Sequence, residues 1–281
     1  MKRLLLLAAL SIATLASAAE IEVRPDIAYK SGDQLSAYEK EWCKLDLYMP
    51  EKREGCASLI WLYGGALKNG SKDKATTKAV ARSLAEGGIA VAVANYRLSP
   101  KVTYPAYIED AAAAFAWVHA HVGDYGGSAD RIFISGHSAG AYLASMVGLD
   151  EKYLAPHGLK PANVAGIIPV AGQMMTHFTV REERGLDVDR IIADDAAPIT
   201  HLQKVTPPIL LILGDKDWPA RLEENAYFAA AALKVSKNTG ITLLEIPDRT
   251  HGGIGDKMAN ADDPGRKAVL EFIAKHAAAV K

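Results

Sequence analysis

Ser138 stands between two glycines, in Gly136-His137-Ser138-Ala139-Gly140, where an apolar run must turn into a helix. Arg131 to Ser135 has the composition of a short buried strand, and Tyr142, Leu143, Met146 and Val147 recur at helical spacing. A serine on such a strand-to-helix turn has two physical readings. In one, the turn forces it into a strained backbone conformation that lifts its hydroxyl clear of the sheet, and the flanking positions stay small because strand and helix pass close together. In the other it is a helix-capping serine beside an ordinary glycine turn. This segment alone leaves both open.

A serine nucleophile needs a base, a carboxylate to orient the base, and donors for the oxyanion that forms. Trp61-Leu62-Tyr63-Gly64-Gly65-Ala66 runs an apolar strand into a double glycine, so the N–H groups of Gly65 and Ala66 can converge with that of Ala139 on one point. A phosphate loop is the competing reading, since Gly70-Ser71-Lys72 follows, but its lysine stands after the hydroxyl residue instead of before it. The candidate base is His251, read as lying in a loop directly after the last strand, with Gly252 and Gly253 allowing close approach. The candidate acids are Asp215 and Asp217, in Leu213-Gly214-Asp215-Lys216-Asp217-Trp218. The strand before them is apolar on both faces, so alternation does not choose between them. Asp215, next to Gly214, suits bonding to the N–H groups of its own turn, whereas Asp217 lies further out, within reach of the loop carrying His251. No histidine or cysteine spacing resembles a metal site; His119 and His121 are two apart on a helix and point to different sides. No metal or cofactor is expected.

The elements that must hold these residues alternate. After two or three N-terminal strands come strand 58–63, helix 75–85, strand 89–95, helix 107–121, the serine strand and helix, strand 164–170, strand 208–213, helix 220–235, strand 241–246, and a final helix from Asp263-Pro264 to about residue 279. Continuous apolar strands separated by helices predict one α/β domain over 19–281, with a mostly parallel sheet of about eight strands covered on both faces. Serine, acid and base segments each follow a strand, where ligands gather in open α/β sheets. The interval 171–206 breaks the rhythm and is either a surface excursion or a small cap over the pocket. Tyr63, His137, Met174, Met175 and Trp218 are candidate pocket residues.

The chain has 281 residues, 49% hydrophobic and 23% charged, with a formal net charge of −1, so charge gives no reason to expect nucleic acid or anionic membrane as a partner. Lys2 and Arg3 precede the apolar run Leu4 to Leu15 and the small residues Ala16-Ser17-Ala18, which predicts a signal peptide over 1–18, cleavage before Ala19, and an exported, periplasmic or secreted protein without a membrane anchor. Cys43 and Cys56 begin successive antiparallel strands and so fall at opposite ends of the sheet, too far apart to bridge.

These segments together resemble the α/β-hydrolase carboxylesterases, the group of hormone-sensitive-lipase-like enzymes and bacterial feruloyl and acetyl-xylan esterases. The resemblance rests on Leu45 to Pro50, Tyr63 to Ala66, Asn95 to Pro100, Tyr104 to Ala106 with Asp110, Gly136 to Gly140, Gly214 to Asp217, and His251. It implies an α/β-hydrolase fold with a small cap, Ser138 as nucleophile, Asp217 as acid, three residues after the glycine, His251 as base, and an oxyanion hole from Gly65, Ala66 and Ala139. The usual His-Gly-Gly-Gly is here Tyr-Gly-Gly-Ala, so Tyr63 and Ala66 must hold the oxyanion loop differently. The expected activity is hydrolysis of short-chain or polysaccharide-linked acetyl and feruloyl esters through an acyl-enzyme. Alternatives are an amide-cleaving peptidase or formamidase, and a non-catalytic binder on the same fold.

Overall fold

The computed structural model describes residues 20–236 and 240–278. The leader-like stretch 1–18 and residue 279 lie outside these. In chain order the strands are β1 (Glu22–Ala28), β2 (Lys44–Met49), β3 (Cys56–Leu62), β4 (Ala90–Ala94), β5 (Gly127–His137), β6 (Gly166–Val170), β7 (Ile209–Lys216) and β8 (Ile241–Thr250). The helices are α1 (Ala37–Trp42), α2 (Ala75–Glu86), α3 (Ala106–His121), α4 (Ala139–Leu149), α5 (Glu151–Leu154), α6 (Phe178–Glu183), α7 (Arg221–Ser236), α8 (His251–Asp256) and α9 (Pro264–Ala277). The strands form one eight-stranded sheet in the order β1-β2-β4-β3-β5-β6-β7-β8. β1 and β2 are antiparallel to their neighbours and the remaining pairs are parallel.

Both faces of the sheet are covered, which is why the strands read as unbroken apolar runs. Along β3, Ile60 and Leu62 pack with Phe115, Tyr142 and Phe228 of α3, α4 and α7, while Leu59 and Trp61 pack with Val80 and Leu84 of α2 and Phe272 of α9. Val80, Ala81, Leu84 and Ala85 occupy one buried stripe of α2 at the i, i+4 spacing of a helix lying on a sheet. Asp263 caps α9 by accepting from the N–H groups of Gly265 and Arg266, with Pro264 in the first turn.

Strand order decides which loops meet. β3 lies beside β5, with Leu62 level with Gly136, so the double-glycine segment and the serine turn emerge side by side. β7 lies beside β8, bringing the acid and histidine segments together at the same edge. β4 separates β2 from β3, and Cys43 and Cys56 are both free thiols. Among the described residues, no helix is long and apolar enough to cross a membrane.

Candidate active site

Ser138 adopts φ 55° and ψ −114° between β5 and α4, a left-handed geometry that costs a non-glycine residue about 1–3 kcal/mol. Close packing imposes the flanking glycines: a Cβ on Gly140 would fall 2.0 Å from the carbonyl oxygen of Leu62, and one on Gly136 would fall 2.5 Å from the backbone of Gly140. The helix-cap reading fails, because the Ser138 side chain makes no cap hydrogen bond. Its Oγ lies 2.8 Å from Nε2 of His251.

The His251 ring is held from several sides. Its Nδ1 lies 2.6 Å from Oδ1 of Asp217. An ionised carboxylate only accepts, so Nδ1 carries the proton and Nε2 is left to accept from Ser138. Trp218 stacks on the imidazole, with ring centroids 3.7 Å apart and planes 18° apart. Asp217 Oδ1 also accepts from the Trp218 N–H at 2.7 Å, while its buried Oδ2 has no partner among the described residues. His251 does not sit in a loop as the sequence predicts: β8 runs on to Thr250, and His251 is the first residue of α8, whose N-terminus is capped by the Thr250 hydroxyl at Gly253 N–H.

Asp215 is held mainly by the neighbouring strand, and only secondarily by its own N–H. The β7–β8 pairing continues past it with a shift in register, and its Oδ1 accepts from Arg249 N–H on the neighbouring strand at 3.1 Å. That bond, with help from the Asp248 N–H, holds the exposed Asp215 carboxyl below its usual range. Strand pairing thus occupies Asp215 and leaves Asp217 to reach His251.

Beside the serine, Gly65 (φ 137°), Ala66 (φ 58°) and Leu67 (φ 60°) form a left-handed turn. The Gly65 carbonyl accepts from Lys68 and Asn69 N–H, so the Ala66 N–H in the same peptide plane points the opposite way. The N–H groups of Gly65, Ala66 and Ala139 find no acceptor among the described residues. Tyr63, where a histidine is usual, anchors the turn through Tyr96: the rings stack at 4.6 Å, and the Tyr96 hydroxyl donates to the Tyr63 carbonyl at 2.8 Å.

His137 is part of the floor and also a support. Its Nε2 donates to the carbonyl of His251 at 2.6 Å. Burial, then the neighbouring His251, push its pKa down from 6.5 to about 4; burial also lowers that of His177. In an unfolded chain such a histidine takes up its proton as pH falls through about 6.5, and in the folded chain only near 4. The unfolded state binds more protons in that window, so stability is full above it and falls as the solution is acidified, by up to about 3 kcal/mol for His137. A thermal midpoint that drops between pH 6.5 and 4 is expected, and His137→Gln should flatten that slope.

The cleft above these groups has a volume of about 450 Å³. Tyr63, Gly65, Ala66, His137, Ser138, Trp218 and His251 line it, as do Trp61, Asn69, Lys74, Thr76, Thr77 and Val80. The wall from the start of α2 did not follow from the sequence, since periodicity places a helix at 75–85 but does not show that its first turn packs beside Ser138. Met174 and Met175 are not part of the wall: Met174 is fully buried beside Ser145, and the N–H groups of both bond to Glu224. No residue of 171–206 lines the cleft. Among the described residues, no group of histidine, cysteine and carboxylate side chains could hold a metal ion.

The BD-FAE family model matches residues 45–231. Among curated proteins, the chain is 30% identical to the probable carboxylic ester hydrolase LipM of Mycobacterium tuberculosis over 69% of this chain and 48% of that protein. It is 31% identical to esterase LipQ of the same organism over 80% of this chain and 56% of that protein. The chain therefore spans about half the length of the curated relatives it matches. Among solved structures, a truncated carbohydrate esterase from gut microbiota superposes with a TM-score of 0.74 over 94% of this chain and 98% of that one, at 19% identity, a likeness of fold.

Proposed function

The chain belongs to the BD-FAE family of α/β-hydrolase esterases, and from that premise we propose that it is a serine hydrolase of carboxylic esters acting through an acyl-enzyme. One observation carries the reading: the unbroken hydrogen-bonded series from Asp217 Oδ1 to His251 Nδ1 and from His251 Nε2 to Ser138 Oγ, on the floor of an open cleft. In this mechanism Ser138 Oγ attacks the ester carbonyl while His251 Nε2 takes its proton. The carbonyl oxygen becomes an oxyanion facing the N–H groups of Gly65, Ala66 and Ala139. Collapse expels the alcohol, which receives the proton from His251, and leaves the acyl group on Ser138. Water, deprotonated by the same imidazole, then releases the acid. Asp217 holds the proton on Nδ1 throughout and stabilises the imidazolium.

The substrate in this reading is a short acyl ester, or one borne on a polysaccharide. Trp61, Tyr63 and Val80 bound the cleft, and its volume suits one small acyl group and part of an alcohol. Trp218 is 47% exposed, and no residue of 171–206 is on the wall, so a bulky alcohol can enter from solvent. Export belongs to the same proposal, supported by the pattern from Lys2 to Ala18.

The test is kcat/KM on p-nitrophenyl esters from acetate to decanoate, with acetylated xylan and methyl ferulate alongside. Activity is expected to peak at acetate to butyrate and to fall at least about tenfold by decanoate, about the discrimination that a few misplaced methylenes produce. A profile rising to decanoate would contradict the short-acyl reading.

A further inference from the structure

Segment 171–206 does not roof the cleft, but it does touch the oxyanion turn. Thr179, fully buried on α6, donates its hydroxyl to the carbonyl of Ala66 at 2.6 Å. Thr179 is itself fixed, because its N–H donates to Nδ1 of His177, the residue that caps α6. A second link joins Lys68 to Glu182 at the surface. At its other end the segment is tied to α7: the Glu224 carboxylate accepts from Met174 and Met175 N–H, and Asn225 Nδ2 donates to the carbonyl of Gly172. α7 follows directly on the acid loop, with Arg221 N–H donating to the carbonyl of Trp218. The segment therefore spans from the Asp217–Trp218 loop to the Gly65–Leu67 turn.

That turn needs an external hold. Ala66 and Leu67 are consecutive non-glycine residues in the left-handed region, a conformation that persists only where neighbours over-determine it. Backbone N–H groups secure two of its carbonyls, Gly65 through Lys68 and Asn69, and Leu67 through Ser99. The third, that of Ala66, depends on Thr179, the one side-chain donor to these carbonyls among the described residues.

We propose that Thr179 is a positioning residue for the oxyanion-stabilising turn, and that segment 171–206 is a strut bracing that turn against the acid loop. The inference rests on the reading of Ala66 N–H as an oxyanion donor. With its carbonyl released, Ala66 relaxes toward an ordinary backbone conformation and its N–H leaves the point where negative charge develops. Transition-state stabilisation then falls while ground-state binding, which does not use this donor, is kept.

The test is the rate at which a p-nitrophenyl alkylphosphonate labels Ser138, since the phosphoryl oxygen of that reagent occupies the oxyanion position. Thr179→Val is expected to slow labelling by about 10- to 100-fold, the scale of a displaced donor, with kcat on p-nitrophenyl acetate falling in parallel and KM within about twofold. Thr179→Ser, which restores the hydroxyl, should return to within about threefold of wild type; Thr179→Ala replaces the valine variant if that does not fold. Wild-type labelling in Thr179→Val, or a serine variant as slow as the valine one, would each overturn the proposal. The reagent carries no carboxylic acyl group. A chain labelled at Ser138 yet inert toward carboxylic esters would therefore refute the ester reading and leave the Thr179 comparison intact.

Discussion

Ser138→Ala is expected to lower ester turnover by about 10⁶-fold, the loss that removing the nucleophile causes in a serine protease of similar logic, with little change in the thermal midpoint. Turnover collapses because the Oγ that would bond to the acyl carbon is gone, and neither His251 nor the oxyanion donors can replace it. Stability is kept because the hydroxyl makes no helix cap and its partner is Nε2 of His251, which borders the cleft and can bond water there instead. Alanine also meets the same backbone demand, φ 55°, that serine already meets. Steady-state kinetics beside a melting curve check both halves. Activity above about 1% of wild type in a folded variant would contradict the assignment of the nucleophile.

Asp217→Asn should lose about 10³- to 10⁴-fold in turnover, by analogy with the same change in a related triad. Asparagine has two ways to sit in this site, and both are poor. With its amide nitrogen toward His251, it opposes the Trp218 N–H and forces the proton from Nδ1 to Nε2, where it blocks acceptance from Ser138. With its oxygen there, the amide hydrogens occupy the buried Oδ2 position, which makes no hydrogen bond among the described residues in the native carboxylate. In either case the negative charge facing the imidazolium is lost. Asp215→Asn keeps an oxygen able to accept from Arg249 N–H and should stay within about threefold of wild type, since that contact is exposed and far less demanding. The measurement is kcat/KM for the two variants at neutral pH. Collapse in the Asp215 variant with survival of the Asp217 variant would exchange the two roles.

The contrast between these aspartates shows what the sequence could and could not disclose. Local signals were legible: β-branched runs bounded by glycine or proline gave the strands, i, i+4 apolar spacing gave the long helices, and the small residues at 136 and 140 reflect a backbone approach that leaves no room for a Cβ. Serine, acid and base follow three parallel strands, so their meeting above one edge followed from the alternation of elements. What depended on register across strands was hidden. The bond from Arg249 N–H to Asp215, and the extension of β8 to Thr250 that makes His251 open a helix, follow from how β7 and β8 align. The excursion 171–206 carries little periodicity, so its contact with Ala66 left no trace in local sequence, and composition alone suggested a methionine-lined pocket where the chain instead buries Met174. Tyr63 stood out as a departure, but its lock on Tyr96 is a contact 33 residues away that spacing does not reveal.

In the proposed mechanism Ser138 carries the acyl group between two half-reactions. Mixing wild-type protein with excess p-nitrophenyl acetate, quenching in acid within the first turnovers and mapping the peptides by mass spectrometry tests this most directly. One added acetyl group is expected, on the peptide containing Ser138, appearing with the release of p-nitrophenol and absent in Ser138→Ala. Hydrolysis that proceeds with no acetyl group on Ser138, or with the label on another residue whose replacement abolishes turnover, would contradict that mechanism.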